Sequence, residues 1–325
     1  MHIVYISLIA LFVCQPVWAK DTVDRNAVRS EFIQPVPYPS ELSSDKVALG
    51  EELFHDVRLS GDQRISCASC HNLASGGVDG LPRSIGVGGA EGDTNAPTVF
   101  NSGLNYSQFW DGRALTLEEQ VSGPITNAKE MASNWPDVIS RLNSDPAYVE
   151  KFFTIYNDGI NAVNVSDALA TFERSLNTVN SRFDQFLRGS VHAISDDEKK
   201  GYELFKSYGC VSCHQGQNVG GNVFQKFGVM KDYFADRGGK TRADFGRFNV
   251  TGDELDKHSF KVPSLRLAVL TAPYFHDGSA KTLHEAIDVM AKYQLGRSMP
   301  DDDAELIIKF LTTLVGSYKG EALYE

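Results

Sequence analysis

The chain has 325 residues, long enough for two domains of ordinary size. Hydrophobic residues make up 42% and charged residues 22%, the balance of a chain with a buried core, which argues against disorder, a collagen-like repeat and a multi-span membrane protein. Lys and Arg total 31 against 42 Asp and Glu, and this formal charge of −11 argues against a nucleic-acid partner while permitting a basic protein partner.

In chain order, the first 19 residues carry no charged side chain, and Ile3 to Cys14 is apolar apart from Ser7. Val17-Trp18-Ala19 resembles a signal-peptidase site, so the sequence predicts a secretory signal removed after Ala19. The stretch is shorter than the about 20 apolar residues of a spanning helix, and no later segment supplies one, so no membrane span is expected. Pro35, Pro37 and Pro39 mark an extended arm.

Gly50-Glu51-Glu52-Leu53-Phe54 then precedes Cys67-Ala68-Ser69-Cys70-His71, and Gly201-Tyr202-Glu203-Leu204-Phe205 precedes Cys210-Val211-Ser212-Cys213-His214. Both copies read G-x-E-L-F and then C-x-S-C-H, so one small helical module occurs twice. Between the motifs, residues 75–92 hold seven glycines and predict a flexible loop. Leu169, Phe172 and Leu176 predict a helix over Asp167–Leu176. Capping boxes at Ser195–Glu198 and Thr282–Glu285 open helices running to about Tyr208 and about Leu295. A further helix is predicted over Glu305–Leu314, with Asp301-Asp302-Asp303 at a helix N-terminus favoured by the dipole. No long period-2 alternation indicates a sheet. The expected fold is mainly α: two cytochrome c-like helical domains related by internal duplication. The expected division is 1–19 signal, 20–187 N-terminal domain and 188–325 C-terminal domain.

Cys-x-x-Cys-His is the attachment signature of c-type haem: two thiols bond the vinyl groups and the His coordinates iron. A zinc site would space the two Cys pairs by about 15–20 residues, whereas Cys70 and Cys210 are 140 apart. A thioredoxin-like motif does not need the trailing His, and a disulfide within either motif leaves it unexplained. Two covalent haems c are therefore expected, on Cys67, Cys70 and His71 and on Cys210, Cys213 and His214. An exported chain fits, because such haem is attached outside the cytoplasm.

With these motifs stand Asn95-Ala96-Pro97-Thr98, Gln108-Phe109-Trp110-Asp111-Gly112-Arg113, Lys129-Glu130-Met131, Val262-Pro263-Ser264-Leu265-Arg266 and Pro273-Tyr274-Phe275-His276-Asp277-Gly278. Together they resemble the bacterial dihaem cytochrome c peroxidases, a family that includes the MauG-type modifying enzymes. The resemblance implies a periplasmic enzyme reducing hydrogen peroxide to water with electrons from a small soluble cytochrome c or cupredoxin, and a homodimer. It implies that the C-terminal haem accepts electrons, with Met290 as its second iron ligand and Met299 as runner-up. MauG-type enzymes place a Tyr there, and Tyr293 lies one turn from Met290. His276 is expected beside the C-terminal haem or the calcium, as a hydrogen-bonding residue or, after Met290, an alternative iron ligand.

The N-terminal haem would bind peroxide, with Glu130 as general acid/base, Gln120 as its hydrogen-bonding partner, Phe109 lining the pocket and Trp110 relaying electrons between the haems. Trp135 reads as structural. Asn95, Thr271 and Pro273 match the family's calcium site. The main departure is Val87, which stands where many members carry a distal His, sixteen residues beyond His71. Valine cannot bind iron, so the N-terminal haem is expected open and reductive activation weak or absent. Two other readings stand beside this one: a MauG-like oxidase acting on a protein or organic substrate, and a non-catalytic dihaem electron carrier.

Overall fold

The computed structural model describes residues 31–38 and 41–323; the expected signal segment with Cys14, and Pro39 of the arm, lie outside the described residues. The described chain is mainly helical. Its longer helices are α1 (Ser44–Phe54), α2 (Leu117–Thr126), α3 (Trp135–Asn143), α4 (Pro146–Ile155), α5 (Ala162–Ser175), α6 (Asp196–Ser207), α7 (Leu283–Tyr293) and α8 (Asp301–Thr312). Two short antiparallel pairs accompany them: β1 (Phe224–Lys226) with β2 (Ser259–Lys261), and β3 (Ser317–Tyr318) with β4 (Glu321–Ala322). None of the described helices is long and apolar enough to cross a membrane.

Local chemistry sets the helix ends. Both expected capping boxes form, at Ser195 before α6 and at Thr282 before α7. The three aspartates occupy the first turn of α8. The helix expected over Asp167–Leu176 begins earlier, at Ala162, because the Asn161 side chain accepts the Asn164 N–H.

The G-x-E-L-F repeat marks two equivalent helix crossings. α1 packs on α5, and α6 packs on α8. At the first crossing a Cβ on Gly50 would lie 2.1 Å from Ala168 O; at the second, a Cβ on Gly201 would lie 1.9 Å from Leu306 O. Each glycine lets a backbone approach that any side chain would block. The Leu53-Phe54 pair and Phe205 then enter the two cores.

A second duplication joins these cores. Residues 97–114 and 263–280 repeat at a constant spacing of 166 residues. The peptide bridge Gln108–Ala114 matches Tyr274–Ala280. Phe109 (φ 66°) matches Phe275 (φ 71°), and Gly112 (φ 67°) matches Gly278 (φ 65°). The two hairpins face each other, with Trp110 edge-on to His276 at 6.4 Å between ring centroids. Their backbones are bonded reciprocally: Asn95 N–H donates to His276 O (2.8 Å), and Lys261 N–H donates to Trp110 O (2.9 Å). Asn95 and Lys261 are themselves 166 residues apart, so the contact is the self-complementary kind that a two-fold axis produces.

The chain ends cross between the cores. Ile33 is buried in the C-terminal core and its backbone bridges to Gly216. Tyr318 and Leu323 pack on the N-terminal core, where Lys319 pairs with Glu51 at 2.9 Å. The N-terminal core ends at Leu176 along the linking segment; Phe183 and Leu187 already belong to the C-terminal core, where Phe183 meets Tyr202 and Phe310.

Candidate functional site

Each Cys-x-x-Cys-His motif folds as one helical turn. His71 N–H donates to Cys67 O and His214 N–H to Cys210 O, both at 2.9 Å. That turn sets the thiols at i and i+3 on one side, with the histidine after them. Cys67, Cys70 and His71 line one cavity of about 960 Å³, and Cys210, Cys213 and His214 line another of about 480 Å³. Both volumes suit a cofactor. The Cys pairs open into different cavities, so they form no single four-thiol site. Burial pushes the Cys67 thiol up to about 12 and Cys210 up to about 11, opposite to the lowered thiols of a redox motif.

The donor set fits haem. His71 Nδ1 lies 3.2 Å from Gly77 O and His214 Nδ1 lies 3.3 Å from Val219 O. A carbonyl only accepts, so Nδ1 carries the proton and Nε2 is left with a lone pair for iron. Burial lowers both imidazoles, His214 to about 4, keeping them neutral. On the N-terminal cavity wall, Arg83 Nε, Ser84 Oγ and Ser102 Oγ are buried without a protein partner, as expected where a polar-edged group belongs.

The cavities share a wall that includes Asn95–Thr98, Phe109, Trp110, Phe260 and Lys261. Trp110 Nε1–H donates to Asn95 O at 2.9 Å, which fixes the indole between the cavities. Trp135 instead donates to Ser122 Oγ (3.2 Å) and packs on the N-terminal core.

Glu130, Gln120 and Phe109 line the N-terminal cavity with His71. The turn after α2 places Glu130. Asn127 Oδ1 accepts the Lys129 N–H (3.0 Å), and Asn127 Nδ2 donates to Glu130 Oε1 (2.6 Å). Asn127, rather than the expected Gln120, is thus the hydrogen-bond partner of Glu130; Gln120 sits on the same cavity from α2. Burial raises the Glu130 carboxyl above its ordinary value, against the Asn127 bond and the Arg113 charge, which lower it. The Arg113 guanidinium lies 3.4 Å from the Phe109 ring centroid.

Residues 75–92 are tied down rather than loose. Ile85 bridges Glu91, and Val87 N–H donates to Glu130 O at 2.8 Å. A Cβ on Gly86 would meet Lys129 O at 2.3 Å, so glycine allows the loop to lie on that turn. Val87 is not on the cavity wall, where, among the described residues, His71 is the only histidine and Met131, from the N-terminal core, the only methionine.

His214, Met290 and Met299 all lie on the wall of the C-terminal cavity. Tyr293 is off it, with its hydroxyl 3.0 Å from Asp236 Oδ2. His276 reaches the wall, but its Nε2 bonds Asp244 Oδ1 at 2.7 Å. Asp244 also pairs with Arg237 (2.6 Å), which in turn pairs with Asp277, so one guanidinium bridges the two carboxylates. Asn95, Thr271 and Pro273 line this same cavity.

On the cavity walls, two buried ionisable groups escaped the sequence reading. Glu173 on α5, 7% exposed, lines the N-terminal cavity beside Cys67, and burial raises its carboxyl to about 8. Lys261 on β2, 8% exposed, is pushed down to about 8.

Comparison with known proteins agrees with this geometry. The family described as di-haem cytochrome c peroxidase matches residues 44–192. Cytochrome c peroxidase Ccp of Escherichia coli K12 is 49% identical over 291 residues, 89% of this chain and 62% of that protein. Cytochrome c551 peroxidase of Nitrosomonas europaea is 46% identical over 288 residues, 88% of this chain and 85% of that one. The crystal structure of a MauG-like protein associated with microbial copper homeostasis superposes with a TM-score of 0.76 at 28% identity, covering 87% of this chain and 93% of that one. On this similarity along nearly its whole described length, the chain belongs to the dihaem cytochrome c peroxidase family.

Proposed function

We propose that this chain is an exported, periplasmic peroxidase that reduces hydrogen peroxide to two waters, using two protons and two electrons from a small soluble cytochrome c or cupredoxin. The observation that carries this reading is the asymmetry of the cavities. One sets a half-buried carboxylate, Glu130, on a wall with His71; the other has His214 with two methionines and no carboxylate among its described lining residues.

His71 and His214 would hold the irons through Nε2, and the four cysteines would carry the porphyrins. Met290 would be the second ligand of the C-terminal iron, where a Met/His pair raises the potential of an electron-accepting centre. Asn95 would offer its side-chain oxygen, and Thr271 and Pro273 their carbonyls, to a calcium ion, a hard cation that takes such oxygens. When bound, the haems would pass on the donor's electrons and offer an iron site for peroxide. Glu130 takes the proton from one peroxide oxygen and returns it to the other, aided by a carboxyl poised above the ordinary range. Phe109 excludes water, Gln120 orients the oxygens, and Trp110 conducts between the cavities. Val87 has no ligand atom and lies off the wall, so it would leave an N-terminal iron free to take peroxide. Family resemblance supports a homodimer.

Val87 favours a second reading, a MauG-like oxidase of a protein or organic substrate. Met290 on the wall and the engagement of Tyr293 with Asp236 oppose it. Stopped-flow peroxide turnover with reduced cytochrome c decides: two donor molecules oxidised per peroxide support the peroxidase. No turnover from a protein carrying both haems leaves the oxidase and electron-carrier readings.

A further inference from the structure

A buried ammonium without an anion is costly, and native proteins keep one where an anion is supplied. Lys261 is such a group. Its residue is 8% exposed, and burial is the one cause acting on its ammonium, with no neighbouring charge or hydrogen bond contributing. It lies on the wall common to both cavities, and its N–H donates to the backbone carbonyl of Trp110 at 2.9 Å, so the two backbones are joined at that wall. Approximate two-fold symmetry pairs it with Asn95. One half of the shared wall thus offers a neutral side-chain oxygen, and the other offers a fixed positive charge.

We propose that Lys261 is the counter-ion of a haem propionate at the wall between the two cavities. This rests on the dihaem reading. Haem carries two propionates, and they are the anions that the covalent cofactor brings to these cavities. The pair holds the porphyrin edge against the Trp110 wall. Its positive charge also opposes the ferric state, whose iron is the more positive, so Lys261 raises the potential of the haem it serves. Lys261 is a positioning residue and touches no peroxide.

The test is spectroelectrochemical titration of Lys261→Met and Lys261→Arg holoenzymes, with resonance Raman of the propionate bending modes. In Lys261→Met the reduction equilibrium of one haem should move about tenfold toward the ferric form, about 59 mV for one electron, with shifted propionate modes. Lys261→Arg, which keeps the charge, should restore most of both. If Lys261→Met does not load its haems, Lys261→Gln is read the same way, since it keeps polarity and loses charge. Unchanged potentials and propionate modes in a charge-free variant carrying both haems would overturn the proposal. Fewer than two covalent haems in the wild-type chain by mass spectrometry would instead overturn the dihaem reading beneath it.

Discussion

Two opposing effects meet at Glu130. Burial favours its neutral form, while the Asn127 amide at 2.6 Å favours the carboxylate, and burial wins. A general base must be ionised, so kcat/KM should fall as pH drops through that raised pKa, with the acid limb above the ordinary carboxylate range. Asn127→Ala removes a bond to the charged form and should move the limb to higher pH. A limb that stays put in a pH–rate profile would remove Asn127 from this role. Glu130→Gln should keep both haems and lose roughly 10²–10⁴-fold of turnover; near wild-type turnover would assign the proton transfer elsewhere. At this scale the sequence was legible where short motifs mark residues: Cys67 to His71 and Cys210 to His214 each open on a cavity, and Glu130, singled out by family resemblance, lines the first of them. Asn127 was hidden by rivalry with Gln120, an equally good amide seven residues nearer the N-terminus. Glu173 and Lys261 were hidden because burial is a property of many distant residues, and neither sits in a motif that names it.

The helix crossings are the elements on which both cavities hang. Gly50 abuts Ala168 O and Gly201 abuts Leu306 O, so a methyl group at either must push helix backbones apart. Gly50→Ala and Gly201→Ala should each cost about 1–3 kcal/mol, the range for overpacking, measured by denaturant unfolding. Stabilisation through the better helix propensity of alanine would show that the helices do not cross that closely. The G-x-E-L-F repeat made this pair readable because glycine, leucine and phenylalanine recur in register. The 166-residue repeat was harder to see. Phe109-Trp110-Asp111-Gly112 and Phe275-His276-Asp277-Gly278 differ at the one position, Trp against His, that each half uses differently. Residues 75–92 read as loose from their glycines, yet Gly86 is there for close approach to the Glu130 turn.

The halves of the molecule are interlocked. Ile33 plugs the C-terminal core, Leu323 and Tyr318 cover the N-terminal core, and Arg266, with a fully buried side chain, ties Gln34 O (3.0 Å) to Asp184 (2.9 Å). No sequence period announces such contacts, since they join residues as far as 268 positions apart, as in the Lys319–Glu51 pair. Arg266→Ala leaves Asp184 buried without its cation and should cost about 3–5 kcal/mol. Far-ultraviolet and haem absorption should report one shared unfolding transition in the wild-type chain, whereas two separated transitions would show that the halves fold independently. The same interlock brings the two halves together at the shared wall, and Val87 lies off the N-terminal cavity. The most direct measurement compares peroxide turnover, with reduced cytochrome c as donor, by fully oxidised enzyme and by enzyme first reduced by one electron. The account predicts immediate and equal turnover from both. A lag in the oxidised enzyme that pre-reduction abolishes would contradict it, because some group would then be closing the site that Val87 leaves free.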